Sequence, residues 1–136
     1  MAHMVLLAEF VSLSGNDLSA HADKIELSID VEDKDATTFA SAGWKEILGG
    51  LKSGKLDVSF KQDPAAGSLD SIMWPLLGTI VAFEVRLLSS ARSTSNPSYT
   101  GNVLINGWKP MAGSVGDVAE TDESFPTSGA VLRLTA

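Results

Sequence analysis

The segment from Asp23 to Glu32 constrains the fold of this chain more than any other part of its 136 residues. Apolar residues occupy every second position there, and charged or hydroxyl residues fill the positions between them. A period of two places the apolar side chains on one face of a β-strand. The pattern therefore predicts a strand that is buried on one face (Ile25, Leu27, Ile29 and Val31) and acidic on the other (Glu26, Asp30 and Glu32).

Two further segments repeat this alternation, Gly54–Asp63 and Thr79–Leu88, and the first of them is expected to pair antiparallel with Asp23–Glu32. Weaker patterns of the same kind predict more strands, at Val5–Leu13, Tyr99–Met111, Val118–Phe125 and Ala130–Thr135. Glycines 101 and 107 suggest a bulge or a close approach of two backbones within one of these strands. The last two strands are expected to be joined by a turn at 126–129, because proline and glycine favour turns.

Residues 68–77 carry the single helical pattern of the sequence. Ser68 is a good N-cap and Asp70 lies in the first turn, where a carboxylate is favourable. The helix is expected to end near Pro75 or to kink there, because proline lacks the backbone donor. Together these patterns predict a mainly β fold: an antiparallel β-sandwich or barrel of about seven strands flanked by one short α-helix.

The predicted domain is single and spans residues 1–136, since a chain of this length suits one domain. The pair His3-Met4 resembles a restriction-site scar, so residues 1–4 can be either native or tag-derived and are left out of the fold argument. No stretch reaches the roughly 18 continuous apolar residues of a membrane helix, and we expect no membrane partner.

The charge is strongly acidic, with ten Lys and Arg against seventeen Asp and Glu and a net charge of −7. Such a surface repels phosphates, so a conventional nucleic-acid-binding role is disfavoured. The chain contains no cysteine, which excludes disulfides, thiolate catalysis and cysteine metal sites. We expect no cofactor and no metal.

The sequence shows no catalytic constellation, and we predict that the protein is not an enzyme. His21 is the only histidine outside the first four residues, and a single histidine in a turn is far more often solvated than catalytic. No GxSxG motif surrounds a serine, and the carboxylates near Asp33 lack the glycine and terminal glutamate of a calcium loop. The carboxylates of Glu26, Asp30 and Glu32 are most simply a solvated strand face.

Residues 33–53 show no clean period of two, and they are predicted to form a long loop. The segment is too apolar for a solvated linker. We expect a partner to cover its apolar residues, which are the candidate interface residues Phe39, Trp44, Ile47, Leu48 and Leu51. Trp44 suits a satellite core and an interface anchor equally well, whereas Trp74 and Trp108 are expected in the core.

The order and spacing of several short segments resemble the major tail tube proteins of long-tailed (siphovirus-type) bacteriophages, particularly those of actinobacteria. The resemblance extends from about Leu7 to Ala136. It is carried by Asn16–His21 before the first alternating strand, Asp35–Phe39, Ile47–Leu51, Gln62-Asp63, Ser68–Asp70, Trp74–Thr79, Asn96–Gly101 and Gly113–Asp117. Trp44-Lys45-Glu46 departs from the family, where this region is smaller or more variable.

The resemblance implies a structural virion protein located in the tail and assembled in the host cytoplasm. Six copies would form a ring, and stacked rings would form a hollow tube for DNA ejection. Other tail proteins (tape measure, terminator and distal tail) would be its partners, and the 33–53 segment would contact the next ring. Glu26, Asp30 and Glu32 are the first candidates for the lumen, where carboxylates would let DNA slide without specific binding.

Two alternatives remain open at this stage. The first is a related tail part, either a terminator, a connector or the inner tube of a contractile injection system, since such parts share the fold in broad terms. The second is a small-molecule-binding β-barrel or a hydrolase with an acid pair, which predicts a monomer with an internal pocket.

Overall fold

The computed structural model describes residues 3–136, so Met1 and Ala2, half of the stretch that resembles a tag, lie outside the described residues. The predicted mainly β class is confirmed, because the described residues form seven antiparallel strands and one short α-helix. The elements are β1 (Phe10–Leu13), β2 (Asn16–Asp17), β3 (Ala22–Asp35), a 3₁₀ turn (Phe39–Ser41), β4 (Ile47–Lys61), α1 (Leu69–Leu76), β5 (Ile80–Arg86), β6 (Ser98–Leu104) and β7 (Glu120–Leu134).

The strands are hydrogen-bonded in the order β2-β1-β5-β6-β7-β4-β3. Strand β7 belongs to both halves of this sheet: its residues 120–126 pair with β4, and its residues 127–134 pair with β6. The sheet therefore folds over along β7 and forms two leaves, β3-β4-β7 and β7-β6-β5-β1-β2. The inward faces of the two leaves enclose one hydrophobic core.

The core is built from alternate residues of the long strands, as the period of two requires. Its largest fully buried side chains are Phe60 of β4 and Phe125 of β7. Helix α1 closes one end of the core by burying Leu69 and Met73. Trp108 packs edge-on against Phe60 with ring centroids 6.1 Å apart, which confirms its predicted place in the core.

The prediction that residues 33–53 form a long loop is wrong. Strand β3 continues to Asp35 and β4 begins at Ile47, so most of this segment is an antiparallel hairpin with a short tip at 36–46. The expected pairing of the two alternating strands is confirmed. The period of two disappears beyond Val31 because no core covers this part of the ribbon, and burial on one face is what creates the alternation.

Other boundaries differ from the sequence prediction. The last two predicted strands are one strand, β7, which bends at Gly129 (φ 82°) without reversing direction. The predicted strands at Val5–Leu13 and Tyr99–Met111 are shortened to Phe10–Leu13 and Ser98–Leu104. The register shift between Thr100 and Asn102 has its extra residues in β7, between Ser128 and Leu132, so the bulge lies in β7. Gly101 is instead the site of the close approach, since a Cβ there would lie 3.1 Å from the carbonyl oxygen of Ala130.

One of the two predictions concerning the helix needs correction. Trp74, expected in the core, is 58% exposed because it lies beside the buried face formed by Leu69 and Met73. The prediction that the helix ends near Pro75 is confirmed, because α1 ends at Leu76, one residue after the proline.

Candidate assembly surfaces

The β3–β4 hairpin projects beyond the rest of the sheet. Pairing between β4 and β7 ends at Lys55 and Pro126, whereas pairing between β3 and β4 continues to Asp35 and Ile47. Residues 30–53, here called the arm, are therefore a two-stranded ribbon without a third strand. The strands of the arm extend about 20 Å, at roughly 3.3 Å per residue. A two-stranded ribbon alone is marginally stable in water, so the arm depends on its own hydrogen bonds or on a partner.

All five candidate interface residues lie on the arm with exposed side chains. Trp44 is 79% exposed and Leu51 is 75% exposed, and the tip leaves Phe39 uncovered. Ile47 and Leu48 are neighbours in β4, so they point to opposite sides of the ribbon, and both are more than half exposed. The structure thus brings the predicted residues together, at the end of the arm and on both of its faces.

The tip of the arm is held by a dense set of local hydrogen bonds. Thr37 Oγ1 accepts from the backbone N–H of Glu46 at 2.8 Å and donates to its carbonyl at 3.3 Å, which closes the base of the tip. Thr38 and Ser41 form a reciprocal capping box around the 3₁₀ turn. Asp35 accepts from the N–H of Thr37, and this bond lowers the pKa of the Asp35 carboxyl.

The backbone beyond the 3₁₀ turn is left-handed at Ala42 (φ 53°) and Gly43 (φ 84°). Glycine adopts this region without a steric penalty, whereas alanine does so only under strain. The tip therefore presents Phe39 and Trp44 from a defined turn, and the entropy cost of ordering these side chains against a partner is reduced.

A second surface is the polar face of the β3-β4-β7 leaf. Glu26, Asp30 and Glu32 alternate along β3 and share this face, as predicted. The neighbouring strands add carboxylates to this face that the sequence analysis missed. Asp57 of β4 lies opposite Glu26, and β7, which pairs with β4, contributes Glu120 and Asp122. The acidic and basic residues at paired positions of this face are six carboxylates (Glu26, Asp30, Glu32, Asp57, Glu120 and Asp122) and four lysines (Lys24, Lys34, Lys55 and Lys61). Asp23, at the irregularity between Ala22 and Lys24, adds a seventh carboxylate beside Lys61.

This face is acidic but interleaved with lysines. Lys34 Nζ lies 3.2 Å from Glu32, and Lys61 Nζ lies 3.1 Å from Asp23 and also contacts Glu120. These pairs are exposed, so each contributes little to stability and is screened by salt. The sequence contained a signal for Asp57, because Lys55, Asp57 and Ser59 alternate with apolar residues in β4 and so lie together on its polar face.

His21 has a serine and a carboxylate as neighbours, but their arrangement is not that of a hydrolytic triad. Ser68 Oγ donates to Asp63 Oδ2 at 2.6 Å and lies 3.4 Å from His21 Nε2. In a triad the histidine stands between the other two groups, whereas here the serine does. The hydrogen bond from Ser68 is the main cause of the lowered pKa of Asp63, and it orders the loop before α1.

An open groove of about 390 Å³ lies between β3 and the end of β5. Its walls are mainly apolar (Ile25, Leu27, Ile29, Val85 and Leu87), with Glu9 and Arg86 at the edge. Burial raises the pKa of the Glu9 carboxyl. The groove is open to solvent and is not the enclosed pocket that the small-molecule alternative predicts.

Between residues 3 and 136, no three His, Asp or Glu side chains are grouped so that they could hold a metal ion. No helix in the same range is long and apolar enough to cross a bilayer.

Chains in solved structures share this fold, and two examples are parts of phage-like particles. One, described as the tail of an empty gene transfer agent (GTA) particle with C6 symmetry, matches with a TM-score of 0.71 and 21% identity over 96% of each chain. The other, the virion of a native GTA particle, matches with a TM-score of 0.70 and 19% identity, over 90% of this chain and 94% of that chain. No protein-family model and no curated protein sequence matches. At these identities the likeness shows a shared fold.

Proposed function

We propose that this protein is the tube-forming subunit of a phage-like tail. Copies form six-membered rings, the rings stack through the arm, and the hollow tube conducts DNA during ejection. The proposal is supported most by the arm, whose hydrogen-bonded tip exposes the side chains of Phe39 and Trp44 to solvent. It is supported further by the fold, since a chain of the same fold belongs to a tail with C6 symmetry and matches along nearly its whole length.

The arm suits a subunit interface for a physical reason. Burying apolar surface contributes about 25 cal/mol per Å², and an aromatic side chain buries roughly 150–250 Å². Covering Phe39 and Trp44 would thus contribute several kcal/mol per subunit before the entropy cost of association. Six such contacts per ring act together, so weak single contacts become a stable stack.

The polar face of β3, β4 and β7 is the proposed lining of the channel. Its carboxylates outnumber its lysines, so passing phosphates meet a net negative wall and are not retained. The interleaved lysines limit the repulsion between neighbouring carboxylates. On this proposal Glu26, Asp30 and Glu32 face the lumen together with Asp57, Glu120 and Asp122.

Electron microscopy of concentrated protein, alone and with the other tail proteins, tests the proposal. We expect tubes with sixfold symmetry for the wild type, and unstacked rings or single subunits but no tubes for Phe39→Ser/Trp44→Ser. A monomer under all conditions would overturn the proposal, and single rings that never stack would favour a terminator. A second comparison uses two side chains that are both 55% exposed: Ile47→Ser lies on the arm, and its control, Leu132→Ser, lies away from it. Only the arm variant should weaken assembly.

A further inference from the structure

The molecule has a second exposed apolar region, at the end opposite the arm. Strand β4 runs from the arm at Ile47 to its other end at Lys61, a distance of about 45–50 Å. Lys61 pairs with Glu120, the first residue of β7, and the last residue of β6, Leu104, pairs with Ile80. Helix α1 and the segment 105–119 connect strands at this same end, here called the far pole.

Hydrogen bonds join the parts of the far pole into one layer. Gly78 N–H donates to the carbonyl of Ile105 at 2.7 Å, and the Trp108 indole donates to Asp70 of α1 at 2.9 Å. The side chain of Gln62 donates to the carbonyl of Pro110, also at 2.9 Å. The segment 105–119 is thereby fixed against both the end of β4 and the helix, although it contains no strand.

This layer nevertheless exposes large apolar side chains. Met111 is 89% exposed and Val118 is 68% exposed. The exposed apolar set of the far pole is Trp74, Leu77, Ile80, Met111, Val115 and Val118. A group of exposed apolar residues on one hydrogen-bonded layer is typical of an interaction site.

The two ends offer one pair of opposite charges, and the tip also carries a carboxylate, Glu46, next to its lysine. Lys45 is the only lysine of the tip and follows Trp44 directly, whereas the exposed Asp117 lies between Val115 and Val118 at the far pole. Within residues 3–136, neither Lys45 nor Asp117 takes part in an ion pair. The lysine at the far pole, Lys109, is already engaged by Asp122 and Glu123.

We propose that the far pole is the docking site for the arm tip of a second copy of this chain. Phe39 and Trp44 pack against the exposed apolar residues of segment 105–119, and Lys45 approaches Asp117. The two contact surfaces differ and lie at opposite ends of the molecule, so the contact is heterologous and repeats without closing. The inference rests on the proposed tube function and names the surface that receives the arm.

Because the chain has no native cysteine, engineered pairs give an unambiguous cross-link. Glu46→Cys places a thiol on the tip and Ser114→Cys places one at the far pole, and neither side chain has a hydrogen bond within the described residues. Under mild oxidation of assembled protein, we expect the double variant to form a covalent ladder of many chains. Each single variant should give dimers at most. The control pair Glu46→Cys/Ser124→Cys, whose second thiol lies on the polar face, should give no ladder.

Two outcomes separate the two proposals. Tubes that form normally without a ladder in the Glu46→Cys/Ser114→Cys variant, or with a ladder in the control pair, overturn the docking site and leave the tube function standing. A wild-type protein that forms neither rings nor tubes overturns the tube function, and the docking site with it.

Discussion

Thr127 hydrogen-bonds to both backbone groups of Gly54, a residue 73 positions away. Its Oγ1 accepts from the Gly54 N–H at 3.0 Å and donates to the Gly54 carbonyl at 3.2 Å. This pair lies where β7 leaves β4 for β6, directly after Pro126, which has no N–H to donate. At the base of the arm, the two hydrogen bonds of the Thr127 side chain thus take the place of the next backbone hydrogen bonds between β4 and β7.

Replacement of Thr127 by valine should destabilise the isolated subunit by about 1–3 kcal/mol. Valine has the same shape as threonine but leaves the two Gly54 groups unpaired in a partly buried position. Urea unfolding measures the difference. Thr127→Ser keeps the hydroxyl and should lose far less stability than Thr127→Val. Equal losses in the serine and valine variants would show that the methyl group, and not the hydroxyl, is what the site needs.

The three tryptophans should differ sharply in their effect on stability. Trp108→Ala removes a buried ring from Phe60 and leaves Asp70 without its donor, so a loss of about 3–5 kcal/mol is expected. Trp74→Ala and Trp44→Ala should each remain within roughly 0.5 kcal/mol of the wild type, because both rings are largely exposed. Denaturant unfolding of the three variants side by side provides the comparison. A large loss in Trp74→Ala would contradict its exposed position.

Shortening the arm should separate folding from assembly. Val31 pairs with Lys52, so replacing residues 32–51 by Asn-Gly joins the strands through a two-residue turn that suits a hairpin. The core contains none of the removed side chains, so the shortened chain should fold with a stability close to that of the wild type. It should not form tubes.

Circular dichroism and urea unfolding test the folding of the shortened chain, and electron microscopy tests its assembly. Tubes formed by this chain would exclude the arm from stacking. An unfolded chain would show that the arm supports the domain itself.

Glu84 should contribute stability that depends on pH. Ser98 Oγ donates to its carboxylate at 2.6 Å and Arg86 donates at 2.7 Å, and the hydrogen bond from Ser98 is the largest cause of its lowered pKa. A carboxyl whose pKa is lower in the folded protein than in the unfolded chain stabilises the fold when the pH is above the ordinary pKa, which is 4.5 here. This contribution is lost as the pH falls through the folded-state pKa.

Glu84→Gln should therefore be less stable than the wild type at pH 7, by about 1–2 kcal/mol. The two proteins should converge as the pH falls well below 4.5. Urea unfolding across this range measures the difference at each pH. A difference that stays constant with pH would show that the carboxylate charge plays no part.

Local patterns predicted the parts of the fold that have a buried face. The alternation in β3, β4 and β5 gave the strands and the pairing of the first two, because burial of one face imposes a period of two on the residues. The helix was predicted nearly to its ends, since its apolar spacing and its proline are local signals. Ser68 does occupy the N-cap position, but its side chain donates to Asp63 and does not cap the helix. Phe39 and Trp44, the proposed assembly residues, were singled out because aromatic residues are conspicuous in a segment without a clean strand period, and the structure shows both side chains exposed.

The sequence by itself determined a mainly β, acidic, cysteine-free domain with an apolar segment that its own core does not cover. Only the tertiary structure decided that this segment is a projecting hairpin, that β7 is a single strand shared by two leaves, and that Trp74 is exposed. The physical reason is the same in each case. The arm lacks the core contact that creates alternation, the bend in β7 depends on hydrogen bonds to distant strands, and the exposed side of a helix depends on what packs against it.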